Sequence, residues 1–118
     1  MKLHKYLNTN YTNFSESECD IYYPKNNGDI IRLINFAKKN KKKILPIGSG
    51  LSWFDTIFNT DNILIDLKKI KKKFEFNKHK GELSISAGYK IHEIISTLNK
   101  YGWSLYSIPG GGEVSLGG

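Results

Sequence analysis

The stretch that most constrains this chain is residues 44–53, which pass from an apolar strand pattern directly into a polar turn. The first four residues form a short apolar run with β-branched ends, which predicts a buried strand. In the turn, Gly48 and Gly50 allow positive φ and carry no Cβ, while Ser49 supplies a hydroxyl. Backbone N–H groups in such a turn can face an anion, so the turn suits phosphate oxygens. A plain strand-ending turn has the same composition, and at this point both interpretations stand.

The composition bounds the class of protein. The chain has 118 residues, of which 39% are hydrophobic and 25% charged, as expected for one ordinary globular unit. No apolar run approaches the ~20 residues of a membrane span, and residues 1–10 lack the apolar core of a signal peptide. We therefore expect no membrane span and a cytoplasmic location. Cys19 is the only cysteine and has no partner at metal-ligand spacing, so we interpret it as a packing residue and expect no metal site.

The net charge of +7 comes mainly from two lysine-rich runs, residues 38–43 and 68–73. Such runs would suit nucleic acid, but aromatic residues are not interleaved with them as a base-stacking surface requires. The first run also falls at the C-terminal end of a predicted helix, where positive charge complements the helix dipole. We therefore interpret both runs as solvated surface and expect no nucleic-acid partner.

The first half of the chain shows a βαβ pattern. Residues 1–18 are interpreted as mostly irregular, residues 19–24 as a short strand, residues 43–47 as a second strand and residues 62–67 as a third. A helix is predicted between the first two strands from its cap residues and apolar stripe. These residues are Asn26, Asn27 and Asp29 for the cap, and Ile30, Ile31, Leu33, Ile34 and Ala37 for the stripe. Ligands in such sheets lie beyond the carboxyl ends of the strands, where residues 48–50 fall.

The second half changes to antiparallel patterning. Residues 74–77 and 83–87 alternate apolar and polar side chains around a polar turn, which predicts a hairpin. A second helix follows from Ile91 to Leu98 and ends near Gly102, and residues 103–108 are predicted to form another strand. The three histidines lack neighbours at metal or catalytic spacing. We therefore predict an α+β fold with one subdomain at about residues 19–67, the start of a second at about 74–118, and a ligand between them.

The last ten residues form the second unusual stretch, because five of them are glycine. A flexible tail has this composition as well. However, the pair Ile108-Pro109 gives the stretch a stiff entry, and Val114 and Leu116 favour β structure. We interpret residues 109–118 as a second backbone cradle.

With both glycine segments in place, the sequence resembles the FAD-linked oxidases of the vanillyl-alcohol oxidase type, which have a PCMH-type FAD-binding domain. The similarity covers nearly the whole chain from Cys19 onward. The matching motifs are residues 44–52, 63–67, 83–88, 109–110 and 114–118. Within the superfamily, residues 11–14 and the Pro-Gly loop are most similar to the branch containing the aldonolactone oxidases and the decaprenylphosphoryl-ribose oxidase.

The resemblance implies an FAD site made from both glycine segments. In such enzymes the backbone N–H groups of the first loop bind the FAD pyrophosphate, and the later segment also lines the cofactor. The residues that match these motifs are Ile47, Gly48, Ser49, Gly50, Leu51, Ser52 and Trp53 in the first loop, and Gly110, Ser115, Gly117 and Gly118 in the second.

The resemblance also implies an activity, namely oxidation of CH–OH groups of a small sugar, polyol or sugar-lactone substrate, with hydride passing to flavin N5. Many covalently flavinylated relatives have histidine at the position of Leu51, and leucine has no nucleophilic nitrogen, so FAD is expected to be non-covalent. The family's FAD domain continues beyond the Gly-Gly motif and a substrate domain follows it. This chain is therefore expected to be an N-terminal part that is inactive alone and prone to self-association through exposed strand edges. No catalytic residue is assigned.

Two other classes of function stay open from the residues alone. One is a non-enzymatic basic binding module, which the lysine runs would suit. The other is a small nucleotide-binding domain with a different phosphate ligand, since the glycine turn does not specify flavin. Flavin absorbance would distinguish the oxidoreductase from both, and salt-sensitive retention on nucleic acid would identify the basic module.

Overall fold

The computed structural model of this chain describes residues 1–117, so the predicted site residue Gly118 lies outside the described part. The described residues form two sheets, two α-helices and two short 3-10 turns. The strands are β1 (His4–Thr9), β2 (Glu16–Tyr22), β3 (Ile44–Ile47), β4 (Ile63–Asp66), β5 (Phe74–Asn77) and β6 (Glu82–Ile85). The α-helices are α1 (Asn27–Lys39) and α2 (Ile91–Asn99), and the 3-10 turns are Asp55–Ile57 and Leu67–Lys69.

The first sheet has the strand order β1-β2-β4-β3. Strands β2, β4 and β3 are parallel, whereas β1 pairs antiparallel with β2. Every residue of β4 is buried, as expected for a central strand covered on both faces. Successive β4 side chains alternate between two clusters, because side chains in a strand point to opposite faces in turn. Ile63 and Ile65 pack with Leu33 of α1, while Leu64 packs with Cys19 on the other face.

Helix α1 begins where the cap residues predicted it. Asn26 is the N-cap, and its side-chain Oδ1 accepts a hydrogen bond of 3.0 Å from the backbone N–H of Asp29. The predicted apolar stripe is narrower than expected, because Ile31 and Ile34 are exposed. At about 100° per residue, Ile34 lies about 100° and Ile31 about 160° around the helix from the buried Leu33. Their assignment to the core-facing stripe was therefore wrong.

The interpretation of residues 1–18 as mostly irregular was also wrong. Strand β1 pairs along its full length with β2, which begins at Glu16 rather than Cys19. The signal is weak in the sequence because β1 is an edge strand with mostly exposed side chains, so it lacks an apolar period. Cys19 is buried and free, as the packing interpretation predicted.

The second sheet contains the predicted hairpin and supports helix α2. Strands β5 and β6 pair antiparallel, with Phe74 opposite Ile85. Helix α2 lays the buried side chains of Ile91, Ile94 and Leu98 on this hairpin. The two sheets are separate within the described residues, which confirms the predicted α+β organisation. The division into subdomains at residues 19–67 and 74–118 stays a prediction.

Residues 103–108 do not form the predicted strand. Gly102 has φ of +74°, and the N–H of Trp103 donates back to the carbonyl of Leu98 at the end of α2. The Trp103 ring then packs edge-on against Phe76, with ring centroids 5.9 Å apart. The Trp103 side chain thus packs on the hairpin. The segment pairs with no strand among residues 1–117.

Candidate cofactor cavity between the two sheets

A cavity of about 240 Å³ lies where the two predicted glycine segments meet. The parallel pairing of β3 with β4 places Ile47 opposite Asp66 at the carboxyl edge of the first sheet, which is where ligands bind in such sheets. The second sheet contributes the segment from Ala87 to Lys90. The lining residues are Tyr6, Ile21, Ile47, Gly48, Ser49, Gly50, Asp66, Leu67, Lys68, Ala87, Gly88, Lys90, Ser115 and Gly117.

The first glycine loop lines this cavity through residues 47–50. Gly50 has φ of +72°, in the left-handed region that a residue with a Cβ rarely adopts. A Cβ at Gly50 would have no described heavy atom within 4 Å, so the requirement for glycine comes from the backbone conformation. Ser49 was predicted to contact the cofactor. Its hydroxyl instead donates to the carbonyl of Glu113 at 2.5 Å. This hydroxyl is already engaged within the protein.

The rest of the predicted first loop does not line the cavity. Leu51, Ser52 and Trp53 run outward, and the carbonyl of Ser52 accepts a hydrogen bond of 2.9 Å from the backbone N–H of Tyr11. The Trp53 ring stacks on the Tyr11 ring at a centroid distance of 5.9 Å. Ser52 and Trp53 thus attach the N-terminal segment to the loop. The cofactor contacts of all three residues stay a prediction.

Residues 112–117 of the second glycine segment, called the strap below, run along residues 87–92. Lys90 and Ser115 form an antiparallel bridge. The backbone N–H of Gly117 donates to the carbonyl of Ala87 at 3.0 Å. A Cβ at Gly117 would lie 2.4 Å from the Cβ of Ala87, so only glycine permits this approach. Gly110 lies outside the cavity lining.

Ser115 carries the feature that most directly indicates a ligand. Its Oγ is buried and has no hydrogen-bond partner within residues 1–117. Leaving a buried hydroxyl unpaired costs about 1–3 kcal/mol, so such groups in native proteins call for an explanation. Ser115 lines the cavity, but its Oγ has almost no accessible surface in this conformation, so the side chain must rotate before a ligand oxygen there can supply the missing partner.

The cavity also has two lysines, each beside an acid. Lys68 Nζ lies 2.9 Å from Asp66 Oδ2, and this hydrogen bond raises the pKa of Lys68 above its usual value. Lys90 forms an ion pair with Glu113, and the hydrogen bond from Lys90 lowers the pKa of Glu113. Lys68 is therefore charged at neutral pH. Because each lysine is already paired with a carboxylate, the feature of the cavity that suits an anionic ligand is the backbone N–H groups of the glycine loop.

Eight lining residues were not among the predicted site residues: Tyr6, Ile21, Asp66, Leu67, Lys68, Ala87, Gly88 and Lys90. Asp66 had a detectable signal, as the polar residue at the end of a buried strand beside the glycine turn. Gly88 belongs to the matching motif 83–88 but was not assigned to the site. Its position shows a closer constraint, because a Cβ there would lie 2.6 Å from the carbonyl oxygen of Leu67.

Two properties are absent from residues 1–117. Neither α-helix found in residues 1–117 has the length and apolar character needed to cross a membrane. Over the same range, no cluster of three or more histidine, cysteine, aspartate or glutamate side chains has the geometry to hold a metal ion.

Comparison with known proteins identifies related sequences. The chain is 25% identical to L-gulonolactone oxidase of Mus musculus, in an alignment that covers 98% of this chain and 27% of that protein. It is 27% identical to the mitochondrial L-galactono-1,4-lactone dehydrogenase of Arabidopsis thaliana, over 80% of this chain and 15% of that protein. The chain thus spans about a quarter or less of the length of these relatives.

The fold is shared with solved flavoenzyme structures. A variant of cholesterol oxidase from Brevibacterium sterolicum superposes with a TM-score of 0.86, at 24% sequence identity, over 99% of this chain and 23% of that one. At this identity the similarity shows the fold alone. The sequence profile of a family described as FAD binding domain matches residues 21–118, which is most of the chain. The chain therefore belongs to this family of FAD binding domains.

Proposed function

We propose that the full-length protein is an FAD-dependent oxidoreductase that oxidises CH–OH groups of a small sugar, polyol or sugar-lactone substrate. The observation that carries the proposal is the cavity at which both glycine segments converge in a chain of the FAD binding domain family. The lactone oxidoreductases among its relatives support the substrate class.

The residues of the cavity fit the pyrophosphate of FAD. The unpaired Oγ of Ser115 can donate to a phosphate oxygen, and the loop at Gly50 leaves open space where a Cβ would stand. Lys68 and Lys90 also lie at the cavity, each paired with a carboxylate. In this arrangement residues 47–50 hold one side of the pyrophosphate with backbone N–H groups, and the hydroxyl of Ser115 holds the other. The contacts proposed for Leu51, Ser52, Trp53 and Gly110 would lie beyond this cavity, and the contact proposed for Gly118 lies outside the described residues.

Bound FAD would supply the hydride acceptor at N5 of its flavin ring. The part played by this chain is to bind and orient the cofactor, because placement of the reacting groups supplies much of the rate in such reactions. We propose no catalytic residue within residues 1–118, and the substrate pocket would come from the rest of the protein.

We further propose that FAD is held non-covalently at the first loop. Leu51 stands where many covalently flavinylated relatives have histidine, and its side chain offers no nucleophile. Acid precipitation of the flavin-loaded protein should release all the flavin into the supernatant. Flavin that stays with the pellet would contradict this proposal. The cytoplasmic location and the absence of metal, nucleic-acid and membrane partners stay predictions.

The experiment that tests the function is anaerobic flavin reduction in the full-length protein with a panel of sugar alcohols and sugar lactones. Substrate-dependent bleaching of the flavin absorbance is expected for at least one of them. A protein that binds no flavin but is retained on nucleic acid in a salt-sensitive way would instead support a basic binding module. A protein that binds another nucleotide in place of FAD would support the nucleotide-binding alternative.

A further inference from the structure

One exposed residue connects three parts of the cavity wall. Glu113 lies in the second glycine segment, and its side chain is 63% exposed. Its backbone carbonyl accepts the hydrogen bond of 2.5 Å from Ser49 Oγ in the first glycine loop. One of its carboxylate oxygens is paired with Lys90 at the start of α2. The other lies 3.2 Å from Nδ1 of His92, in the first turn of the same helix.

The neighbouring backbone is fixed to the same helix end. The backbone N–H of His92 donates to the carbonyl of Gly112 at 3.0 Å. A Cβ at Gly112 would lie 3.1 Å from the Cβ of His92, which is a close approach that glycine permits. The strap on which Ser115 and Gly117 depend is thus held against α2 just before it reaches the cavity.

The Ser49 contact is different in kind, because it joins the two sheets. Ser49 follows β3 of the first sheet, whereas Glu113 is fixed to α2 of the second. Ser49 lines the cavity itself, and Glu113 comes two residues before Ser115, which also lines it, so the separation of Ser49 and Glu113 sets the distance between the two glycine segments. A hydroxyl that donates to a protein carbonyl is not free to donate to a phosphate oxygen at the same time.

We propose that Ser49 and Glu113 are positioning residues that hold the two glycine segments at the separation the cofactor needs. Ser49 acts through its bond to the strap rather than as a direct phosphate ligand. Lys90 and His92 act by keeping the backbone of Glu113 in place. This role rests on the proposed placement of FAD in the cavity. It explains what holds the two walls of the cavity at a fixed distance.

A double-mutant cycle in the full-length protein tests this proposal. Ser49→Ala, Glu113→Ala and the double variant would be titrated with FAD, and the dissociation constant followed by quenching of flavin fluorescence. Each single change should weaken FAD binding roughly two- to tenfold, as expected for loss of one hydrogen bond or of the ion pair that fixes its acceptor. Glu113→Ala keeps the backbone carbonyl that accepts from Ser49 but frees it from Lys90, so the double variant should lose less than the product of the two effects. Ser49→Thr keeps the hydroxyl and should restore binding.

The hairpin provides a matched control. Ser84 and Glu75 are paired across β5 and β6, and Glu75 has the same side-chain exposure of 63% and its own lysine partner, Lys73. Neither lines the cavity. Ser84→Ala, Glu75→Ala and their double variant should bind FAD as the wild type does.

A second measurement separates positioning from general destabilisation. In the FAD-free protein, Ser49→Ala should speed amide hydrogen exchange at residues 112–117 while the midpoint of thermal unfolding stays close to that of the wild type. Unchanged FAD affinity in both single variants, or effects that multiply in full, would overturn the proposal. A wild-type protein that does not bind FAD would contradict the proposed function itself, and is therefore measured first.

Discussion

Gly88 offers the sharpest test of how the two sheets meet, through the substitution Gly88→Ala. A Cβ at this position would stand 2.6 Å from the carbonyl oxygen of Leu67 and 3.2 Å from its carbonyl carbon. Ordinary contacts of a Cβ begin near 3.4 Å, and the atoms in the way are backbone, which cannot rotate aside. The two segments must therefore move apart. Overpacking of this kind costs about 1–3 kcal/mol of folding free energy.

The same movement should open the cavity, because Gly88 and Leu67 both line it. We expect Gly88→Ala to lower the midpoint of thermal unfolding by several degrees and also to weaken FAD binding. The assay is thermal unfolding of the full-length protein with and without FAD, together with an FAD titration. Gly111→Ala is the matched control, since a Cβ there has no described atom within 4 Å and Gly111 does not line the cavity. Equal stability and equal FAD affinity for Gly88→Ala, Gly111→Ala and the wild type would refute this account of the contact.

Three other outcomes are expected. Gly50→Val should weaken FAD binding more than Ser49→Ala in a flavin titration, because only the first change strains a left-handed backbone, and equal losses would argue against backbone control. The hydrogen bond from the backbone N–H of Lys25 lowers the pKa of Asp29. The stabilisation from this contact is present above the pKa that Asp29 has in the unfolded chain, and it is lost as the pH falls through the lower pKa of the folded protein. The free energy of unfolding of Asp29→Asn should therefore be lower than that of the wild type at neutral pH, and the two values should converge in acid. The 118-residue chain alone should show no oxidase turnover and should self-associate, as measured by anaerobic flavin reduction and light scattering beside the full-length protein.

The elements with strong local periodicity could be predicted from the sequence. Helix α1 had both its cap residue Asn26 and a buried stripe, and the hairpin had clear alternation around a polar turn. Strand β1 had no such signal, since an edge strand with exposed side chains shows little apolar period. Residues 103–108 had the opposite problem. Their apolar side chains gave the pattern of a strand, whereas in the structure Trp103 packs against Phe76 of the hairpin.

Some features of the candidate site could likewise be predicted from the sequence, and others could not. The glycine turn and the C-terminal strap were visible because glycine at close spacing marks unusual backbone. Their meeting in space depends on the pairing of β3 with β4 and on the bridge between Lys90 and Ser115, which are long-range contacts. The partner of Ser49 could not be read locally, since Glu113 lies 64 residues away. Sequence therefore indicated the two segments, and only the fold shows which of their hydroxyls is already occupied.

The most direct test of the central claim is an experimental structure of the full-length protein with FAD bound. The account predicts the pyrophosphate between residues 47–50 and the strap, with one phosphate oxygen about 2.7 Å from Ser115 Oγ and others within hydrogen-bonding distance of the loop N–H groups. It also predicts that Ser49 Oγ still donates to the carbonyl of Glu113. A pyrophosphate bound elsewhere, with Ser115 Oγ paired to protein atoms instead, would contradict the claim.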